Sequence, residues 1–233
     1  MSLTGIFPID RWNFTTKSVL KVLSEDEYAH LFSHQSGQQY HKGEVIFREG
    51  TVPSGVFIIR SGKVKKYKSD QYGREQIIYV AGEGELIGYH AVLSDERYPD
   101  SAAALEKSLL SFIPKEDFLD TLQQSPNLTR LLLKALSHEF TVFTNNISAF
   151  AQRTAHERLA IALIVLREKF KDDHIREPVL NISRADLANM TGIAEDNVTR
   201  LLKDFKNEGI LETEGRKIRI TDIRSLVSRS NYR

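Results

Sequence analysis

The stretch Ser183–Leu211, SRADLANMTGIAEDNVTRLLKDFKNEGIL, predicts two short helices joined by a tight turn. Ser183 has the character of a helix N-cap, and Asp186 follows it at capping-box spacing. Gly192 marks the turn, and Gly209 ends the second helix, as glycine commonly does. The pattern therefore predicts a helix–turn–helix.

The second helix has two chemically different faces. One side carries apolar residues at helical spacing, namely Val198, Leu201, Leu202 and Phe205. The other side carries polar residues at the same spacing, namely Asp196, Thr199, Arg200 and Lys203. Such a helix can anchor itself by one face and present donors and acceptors to a DNA major groove with the other. The alternative is an amphipathic surface helix with a solvated polar face.

Composition sets the limits on the kind of protein. The chain has 233 residues, which suits one large or two modest domains, and a net charge of only +1. The charge is uneven, because residues 197–233 carry nine Lys or Arg against five Asp or Glu. There are no cysteines, which excludes disulfides, thiolate zinc sites and cysteine-held iron–sulfur clusters. A modest basic end on a neutral chain is typical of a DNA-binding domain attached to another domain.

No feature of the sequence indicates a membrane partner. No apolar run approaches 18 residues, and the first residues, MSLTGIFPIDRW, lack the pattern of a signal peptide. We therefore expect a cytoplasmic protein.

Glycine-punctuated β-rich runs dominate the first half of the chain. Eight of the thirteen glycines lie between Gly43 and Gly88. Between them stand VIF (45–47), VFII (56–59), VKKY (64–67) and QIIYV (76–80). Many short strands with turn signals favour an antiparallel barrel or jelly roll. With the helices around it, the expected class is α+β.

Helices follow the β-rich region. KEDFLDTLQQ predicts a short helix, and residues 127–151 a long one. The long helix is apolar enough to need a partner, and we predict a parallel dimer seam that contains Leu128, Leu132, Ala135, Val142 and Phe143. Glu139, Asn145 and Asn146 interrupt the apolar pattern, as polar residues that fix register do. The alternative is an internal helix packed on the β-rich region.

The end of the chain extends the helix–turn–helix. A helix is expected over residues 154–170 and a loop at 171–173, and the alternating KIRI (217–220) predicts a strand of a hairpin. A cationic hairpin directly after such a helix pair indicates a wing that contacts phosphates. The expected domains are a β-roll with flanking helices (1–124), a dimerisation helix and hinge (125–153), and a winged helix–turn–helix (154–233).

Three motifs in this order resemble the Crp/Fnr family of bacterial transcription regulators, over nearly the whole chain. EVIFREGTVPSGVFIIRSGKVKKY is similar to the family's strand–glycine–strand core, and GEGELIGYHAVL to the phosphate-binding cassette of cyclic-nucleotide-binding domains. Residues 183–211 resemble its DNA-reading unit. The resemblance implies a homodimer on a palindromic operator in double-stranded DNA, an effector at the roll, and RNA polymerase as a candidate partner.

The cassette departs from the family at its ligand contacts. The resemblance places an effector pocket at Glu85, Leu86, Gly88, Tyr89, His90, Arg97, Asp100 and Ser101. Cyclic-nucleotide binders have a glutamate where Tyr89 stands and an arginine–serine pair where Asp100-Ser101 stands. An aspartate repels a phosphate that an arginine would bind by two charge-assisted hydrogen bonds. Cyclic AMP is therefore not the favoured effector, although Arg97 could substitute from a displaced loop.

Other sensing chemistries of the family remain open or are excluded. An iron–sulfur sensor needs cysteines, which the chain lacks. A haem sensor needs an axial ligand, for which His41, His90 and His138 are the candidates. The roll could equally bind another small molecule, or none.

The resemblance also assigns roles within the DNA-reading unit. The family's acid, hydroxyl and arginine correspond to Asp196, Thr199 and Arg200, which we expect to read base edges. Glu195 stands where the cyclic-AMP-sensing branch has an arginine. Phosphate contacts are expected at Ser183, Arg184, Lys203, Arg216 and Lys217.

Enzyme motifs are missing from the sequence. GEGELIG lacks the Lys-Ser/Thr of a P-loop, the His-Glu pairs lack a second histidine at zincin spacing, and no G-x-S-x-G occurs. We expect no enzyme. A cyclic-nucleotide-binding signalling module without a DNA role is the remaining alternative, and the winged helix–turn–helix argues against it.

Overall fold

Eight short strands lie between residues 36 and 114 of the computed structural model, which describes residues 3–171 and 177–232. They form two four-stranded antiparallel sheets, ordered β1-β8-β3-β6 and β2-β7-β4-β5. The strands are β1 (Ser36–Tyr40), β2 (Val45–Phe47), β3 (Gly55–Ser61), β4 (Val64–Ser69), β5 (Glu75–Ala81), β6 (Leu86–Ile87), β7 (Ser101–Ala104) and β8 (Ser108–Pro114). The predicted α+β class and all four predicted runs are confirmed.

One of the turns shows why the roll needs its glycines. Gly62, between β3 and β4, has φ of +86°, and a Cβ there would lie 2.3 Å from Ser108 Oγ and 2.6 Å from the Lys107 carbonyl oxygen. A side chain is therefore excluded by both conformation and space. The sequence did not predict β7, whose alanines have low β-propensity, although it pairs with both β2 and β4.

Helices surround and follow the roll. They are α1 (Glu25–Leu31), α2 (Tyr89–Ser94), α3 (Lys115–Gln124), α4 (Pro126–Gln152), α5 (Ala155–Phe170), α6 (Arg184–Thr191), α7 (Glu195–Asn207) and α8 (Ile223–Arg229). A third sheet, ordered β10-β11-β9, contains β9 (Val179–Asn181), β10 (Leu211–Glu214) and β11 (Lys217–Ile220). The expected loop at 171–173 lies largely outside the described residues. Within them, no helix is long and apolar enough to cross a membrane.

The chain folds into two compact units. The roll unit comprises Thr15–Ser69 and Ile78–Glu139, and the C-terminal unit comprises Met1–Phe14, Asp70–Ile77 and Phe140–Arg233. The roll unit has one main apolar core in which Val56, Ile58, Ile113 and Phe118 are buried together. Helix α4 contributes residues to both units.

Three of the five residues predicted for the dimer seam on α4, Leu128, Leu132 and Val142, are buried within their own chain. Leu128 and Leu132 are 0% and 2% exposed and belong to the core of their own roll unit, against which Ala135 also packs. Val142 is buried, and the half-buried ring of Phe143 lies 5.9 Å from that of Phe14. The three buried side chains face the core, as the apolar stripe of an amphipathic helix does, whereas Ala135 and Phe143 are only partly buried.

A different face of α4 is apolar and exposed. Leu133, Phe140 and Ile147 recur every seven residues and are 60%, 71% and 69% exposed. Leu136, Phe143 and Phe150 stand three residues after each of them, at the second apolar position of a heptad. We call these six residues the α4 stripe. The sequence alone did not separate this stripe from the buried face, since both are apolar.

Candidate functional site

Local hydrogen bonds build the first helix of the helix–turn–helix. The Ser183 hydroxyl accepts a hydrogen bond from the Asp186 backbone N–H at 3.0 Å, which confirms the predicted N-cap. The return bond differs from a capping box, because the Ser183 hydroxyl itself donates to Asp186 Oδ2 at 2.5 Å. Gly192 ends α6 with φ of +63°, a conformation that favours glycine. The turn that orients α7 is thus encoded locally.

Helix α7 has the two predicted faces. Its apolar residues Val198, Leu201, Leu202 and Phe205 are buried. The four side chains of the opposite face, Asp196, Thr199, Arg200 and Lys203, are exposed. We call this exposed set the reading face. Because the helix is anchored on one side and free on the other, it has the geometry of a recognition helix.

The arginine of the reading face is oriented by its neighbours. Arg200 donates a long hydrogen bond of 3.5 Å to Asn197 Oδ1 and lies 3.8 Å from Asp204 Oδ2. Its side chain is 63% exposed, so both contacts are weak and can be exchanged for a base edge. Asn197, which the family resemblance did not single out, therefore lies next to Arg200, one of the three residues expected to read base edges.

The five residues predicted to contact phosphates differ in their exposure and in whether their side chains already have a partner. Ser183 uses its hydroxyl in the cap, and Arg184 is partly buried, which lowers its pKa. Lys217 on β11 lies directly opposite Glu214 on β10, a pairing of opposite charges. Arg216 and Lys203 are exposed. Lys203, Arg216 and Lys217 are thus the exposed cations of the five, whereas Ser183 and Arg184 are partly buried.

A buried ion pair lies in the interior of the roll. Lys66 Nζ lies 3.0 Å from Asp100 Oδ2, and the two side chains are 6% and 7% exposed. Asp100 is the residue that stands where the resemblance expects the phosphate-binding arginine. The carboxylate that we expected to repel a phosphate is therefore already neutralised by a lysine of the same chain. An internal ion pair replaces the contact between arginine and phosphate.

The neighbouring cassette residues are also engaged within the chain. Ser101 Oγ accepts a hydrogen bond from the Glu49 backbone N–H at 2.9 Å. The buried Glu85 carboxylate accepts one from the Tyr79 hydroxyl, while Leu86 is part of the roll core and is not available to line a pocket. Gly88 has φ of +82°, with the ring of Tyr98 beside it. The polar side-chain atoms that could bind a ligand here are thus already hydrogen-bonded within the chain.

Arg97 does not replace the missing arginine. It is exposed, and its guanidinium donates to the Gly50 carbonyl at 2.8 Å. In the described structure it therefore supports the loop after β2 instead of entering the group of Lys66 and Asp100.

A buried glutamate of α4 joins the cassette. Glu139 Oε2 accepts a hydrogen bond from the Tyr89 hydroxyl at 2.6 Å and lies 2.8 Å from His90 Nε2. Burial raises the pKa of Glu139, but the hydrogen bond and charge of His90, the charge of Lys66 and the Tyr89 hydroxyl outweigh it, and the net pKa lies below its ordinary value. Glu139 is therefore a charged anchor in its own roll unit, and its interpretation as a polar interruption of a dimer seam is wrong.

The three candidate haem ligands have different surroundings in the structure. His90 Nε2 faces the Glu139 carboxylate, and its Nδ1 is buried. His41 is exposed next to Glu44, at 3.4 Å, and His138 is half-buried on α4. Among residues 3–171 and 177–232, no three His, Asp or Glu side chains are grouped so as to hold a metal ion.

The sequence contained one signal for the buried position of Lys66, which was not predicted as a site residue. In the run VKKY, period-two alternation places Lys66 on the same side of β4 as the buried Val64. A lysine on the inward side of a strand calls for a buried acid. No comparable local signal points to Glu139.

Comparisons with known proteins agree with this architecture. Residues 37–125 match the cyclic nucleotide-binding domain family, and residues 157–229 match the Crp-like helix-turn-helix domain family. The chain is 33% identical over 188 residues to transcriptional activator protein FnrA of Stutzerimonas stutzeri, covering 80% of this chain and 77% of that protein. It is 32% identical over 181 residues to the fumarate and nitrate reduction regulatory protein of Escherichia coli K12, covering 77% and 72%.

Solved structures share the fold. FixK2 from Bradyrhizobium japonicum superimposes with a TM-score of 0.76 at 22% identity, over 83% of this chain and 96% of that one. A putative regulator from Eubacterium rectale, described as a member of the crp/fnr family, gives 0.71 at 19% identity over 97% and 99%. Together with the identity to the Fnr-type regulators, this shows that the chain belongs to the Crp/Fnr family of DNA-binding transcriptional regulators.

Proposed function

We propose that this regulator is a homodimer whose two recognition helices bind the half-sites of a palindromic operator. The observation that carries the proposal is the α4 stripe, an apolar heptad pattern on a 27-residue helix in which Leu133, Phe140 and Ile147 are strongly exposed. Two parallel copies of α4 would bury these side chains against each other. A two-fold symmetric dimer places its reading faces about one DNA turn apart, or about 34 Å.

We further propose that the segments keep the roles expected from the sequence. Residues 1–124 sense an effector, except that the stretches Met1–Phe14 and Asp70–Ile77 belong to the C-terminal unit. Residues 125–153 pair the subunits, and residues 154–233 bind DNA. Relatives from Stutzerimonas stutzeri and Pseudomonas aeruginosa are named transcriptional activators, which supports RNA polymerase as a further partner and the cytoplasm as the place of action.

Substituting Arg200 tests DNA reading. We expect Arg200→Ala to weaken binding to an operator selected from random DNA by about 1–3 kcal/mol and to relax specificity at one base pair in each half-site. The reason is that a guanidinium can pair with guanine O6 and N7 simultaneously. Gel-shift titrations against single-base variants of the operator measure both effects.

The matched control is Arg224→Ala, which removes the same charge from an exposed position on α8, outside the reading face. It should keep the operator preference of the parent protein. Full selectivity in Arg200→Ala would refute the reading role, and a selected operator without two-fold symmetry would refute the dimeric mode.

We propose that the roll does not use cyclic AMP. The cassette holds an internal Lys66–Asp100 ion pair where a phosphate would bind. The buried carboxylates of Glu139 and Glu85 are close enough that, together with Asp100, they contribute to raising the pKa of Tyr89, after burial itself. A cyclic phosphate would have to break the ion pair and enter next to three acidic side chains, and each of these steps opposes binding.

Calorimetry checks the absence of cyclic-AMP binding. Titration of the full-length protein with cyclic AMP should give no saturable heat, and the operator affinity should be the same with and without the nucleotide. Saturable binding in the micromolar range, or operator binding that requires the nucleotide, would contradict this proposal while leaving the dimer untouched.

A further inference from the structure

The N-terminal segment is docked along its length. Leu3, Phe7, Trp12 and Phe14 are all buried, although they precede the first strand by more than twenty residues. All four belong to the C-terminal unit, which also contains the second half of α4, α5 and the helix–turn–helix. The segment of residues 3–14 is therefore part of the DNA-binding half of the molecule.

A single arginine lies at the centre of this docking. Arg153 stands between the end of α4 at Gln152 and the start of α5 at Ala155. Its Nη1 donates to the carbonyl oxygens of Ser230 at 2.9 Å and Asn231 at 3.2 Å. Its guanidinium also lies over two aromatic rings, at 5.8 Å from Trp12 and 5.4 Å from Tyr232. Residues from both ends of the chain hold this junction arginine.

The two chain ends also contact each other. Arg11 Nη1 donates to the Tyr232 hydroxyl at 2.8 Å. The Tyr232 ring lies 5.6 Å from that of Phe7 and 5.7 Å from that of Trp12, the latter edge-on. Aromatic contacts of this kind add to the burial of the rings. Tyr232 is therefore the residue near the C-terminus that binds the N-terminal segment.

The same segment is bonded to the helix on each side of the junction. On α4, the Asn145 amide donates to the Arg11 carbonyl at 2.9 Å. On α5, the buried Lys169 ammonium donates to the Phe14 carbonyl at 2.8 Å and lies over the Phe14 ring. We call residues 3–14 the strap. Because the strap is hydrogen-bonded to both helices, a change in the angle between α4 and α5 would break bonds at one of its ends, and the strap therefore resists that change.

The docking of residues 3–14 leaves two polar atoms of this segment buried without a hydrogen bond. Trp12 Nε1 and Asn13 Oδ1 are buried and have no hydrogen-bond partner in the described part of the chain. Burying these groups unsatisfied offsets part of the gain from the aromatic contacts. A short segment near a chain end can open locally while the helices beneath it stay folded.

We propose that residues 3–14 and Tyr232 form a lock on the α4–α5 junction. The lock fixes the angle between α4, which pairs the subunits in the proposed dimer, and α5, which packs against the helix–turn–helix. Releasing the strap frees the junction and lowers the population that can bind an operator. This regulatory role rests on the proposed dimeric DNA binding, whereas the lock itself does not.

The test uses two full-length variants, Trp12→Ala and Tyr232→Ala, with Tyr72→Ala as a matched control at a tyrosine that is 75% exposed outside the lock. Hydrogen exchange is measured peptide by peptide. We expect amides of residues 150–156 to exchange about tenfold faster or more in both lock variants, and those of α6 and α7 to keep their protection. Tyr232→Phe, which loses only the hydroxyl, should show a smaller increase.

Operator affinity is measured on the same preparations. We expect a loss of about tenfold in the two lock variants and none in Tyr72→Ala. Unchanged exchange at the junction overturns the lock. Faster exchange with unchanged affinity overturns its regulatory role. If the parent protein fails to bind DNA, the proposed function fails, and the exchange result still decides whether the lock exists.

Discussion

Replacing Phe140 by glutamate is expected to convert the proposed dimer into a monomer and to lower the affinity of the protein for a palindromic operator by about 100-fold or more. Phe140 is 71% exposed, so its own fold does not depend on it. In a parallel pair of α4 helices the two substituted residues would face each other, and two carboxylates would be desolvated side by side. Light scattering measures the mass, and gel shifts measure the affinity.

The matched control uses the same helix. Ser148→Glu introduces the same charge at an exposed position next to Ile147, but outside the α4 stripe. It should leave both mass and affinity unchanged. A dimeric Phe140→Glu protein with full operator affinity would show that the subunits pair through another surface.

Lys66→Met is expected to produce the largest loss of stability, about 3–5 kcal/mol. The substitution preserves most of the apolar stem but leaves the Asp100 carboxylate buried without its cation. It also removes the charge that helps to hold the pKa of Glu139 below its ordinary value. Urea unfolding followed by circular dichroism measures the shift of the midpoint at constant slope.

Two further variants test whether the unpaired Asp100 carboxylate causes this loss of stability. Lys68→Met removes a lysine from the same strand with the same 3.0 Å contact, to Glu49, but its side chain is 54% exposed. It should cost about 1 kcal/mol or less. The double variant Lys66→Met with Asp100→Leu should recover most of the stability, because the buried charge is gone. A double variant as unstable as the single one would show that the ion pair is not the cause.

Much of the fold could be predicted because its signals are local. The strands VIF and QIIYV are bounded by turns, and KEDFLDTLQQ coincides with α3. The strand β7 was missed, because its run of alanines is stabilised by two neighbouring strands and not by its own propensity. Propensity describes a residue in its own segment, and a central strand depends on its neighbours.

The reading face of α7 is what the sequence by itself determined about the site. Helical periodicity separates Val198 and Phe205 from Asp196 and Arg200 within one element, so no distant residue is needed to sort them. The caps at Ser183 and Gly192 are equally local.

Only the tertiary structure decided which apolar face of α4 is free, what fills the cassette, and where residues 3–14 dock. Leu132 and Phe140 are both strongly apolar, and the position of the roll alone makes one of them buried and the other exposed. Lys66 and Asp100 meet because β4 and β7 are paired, and Trp12 meets Tyr232 because the two chain ends converge on Arg153. Contacts between residues far apart in sequence depend on the packing of whole elements, and no local pattern encodes them.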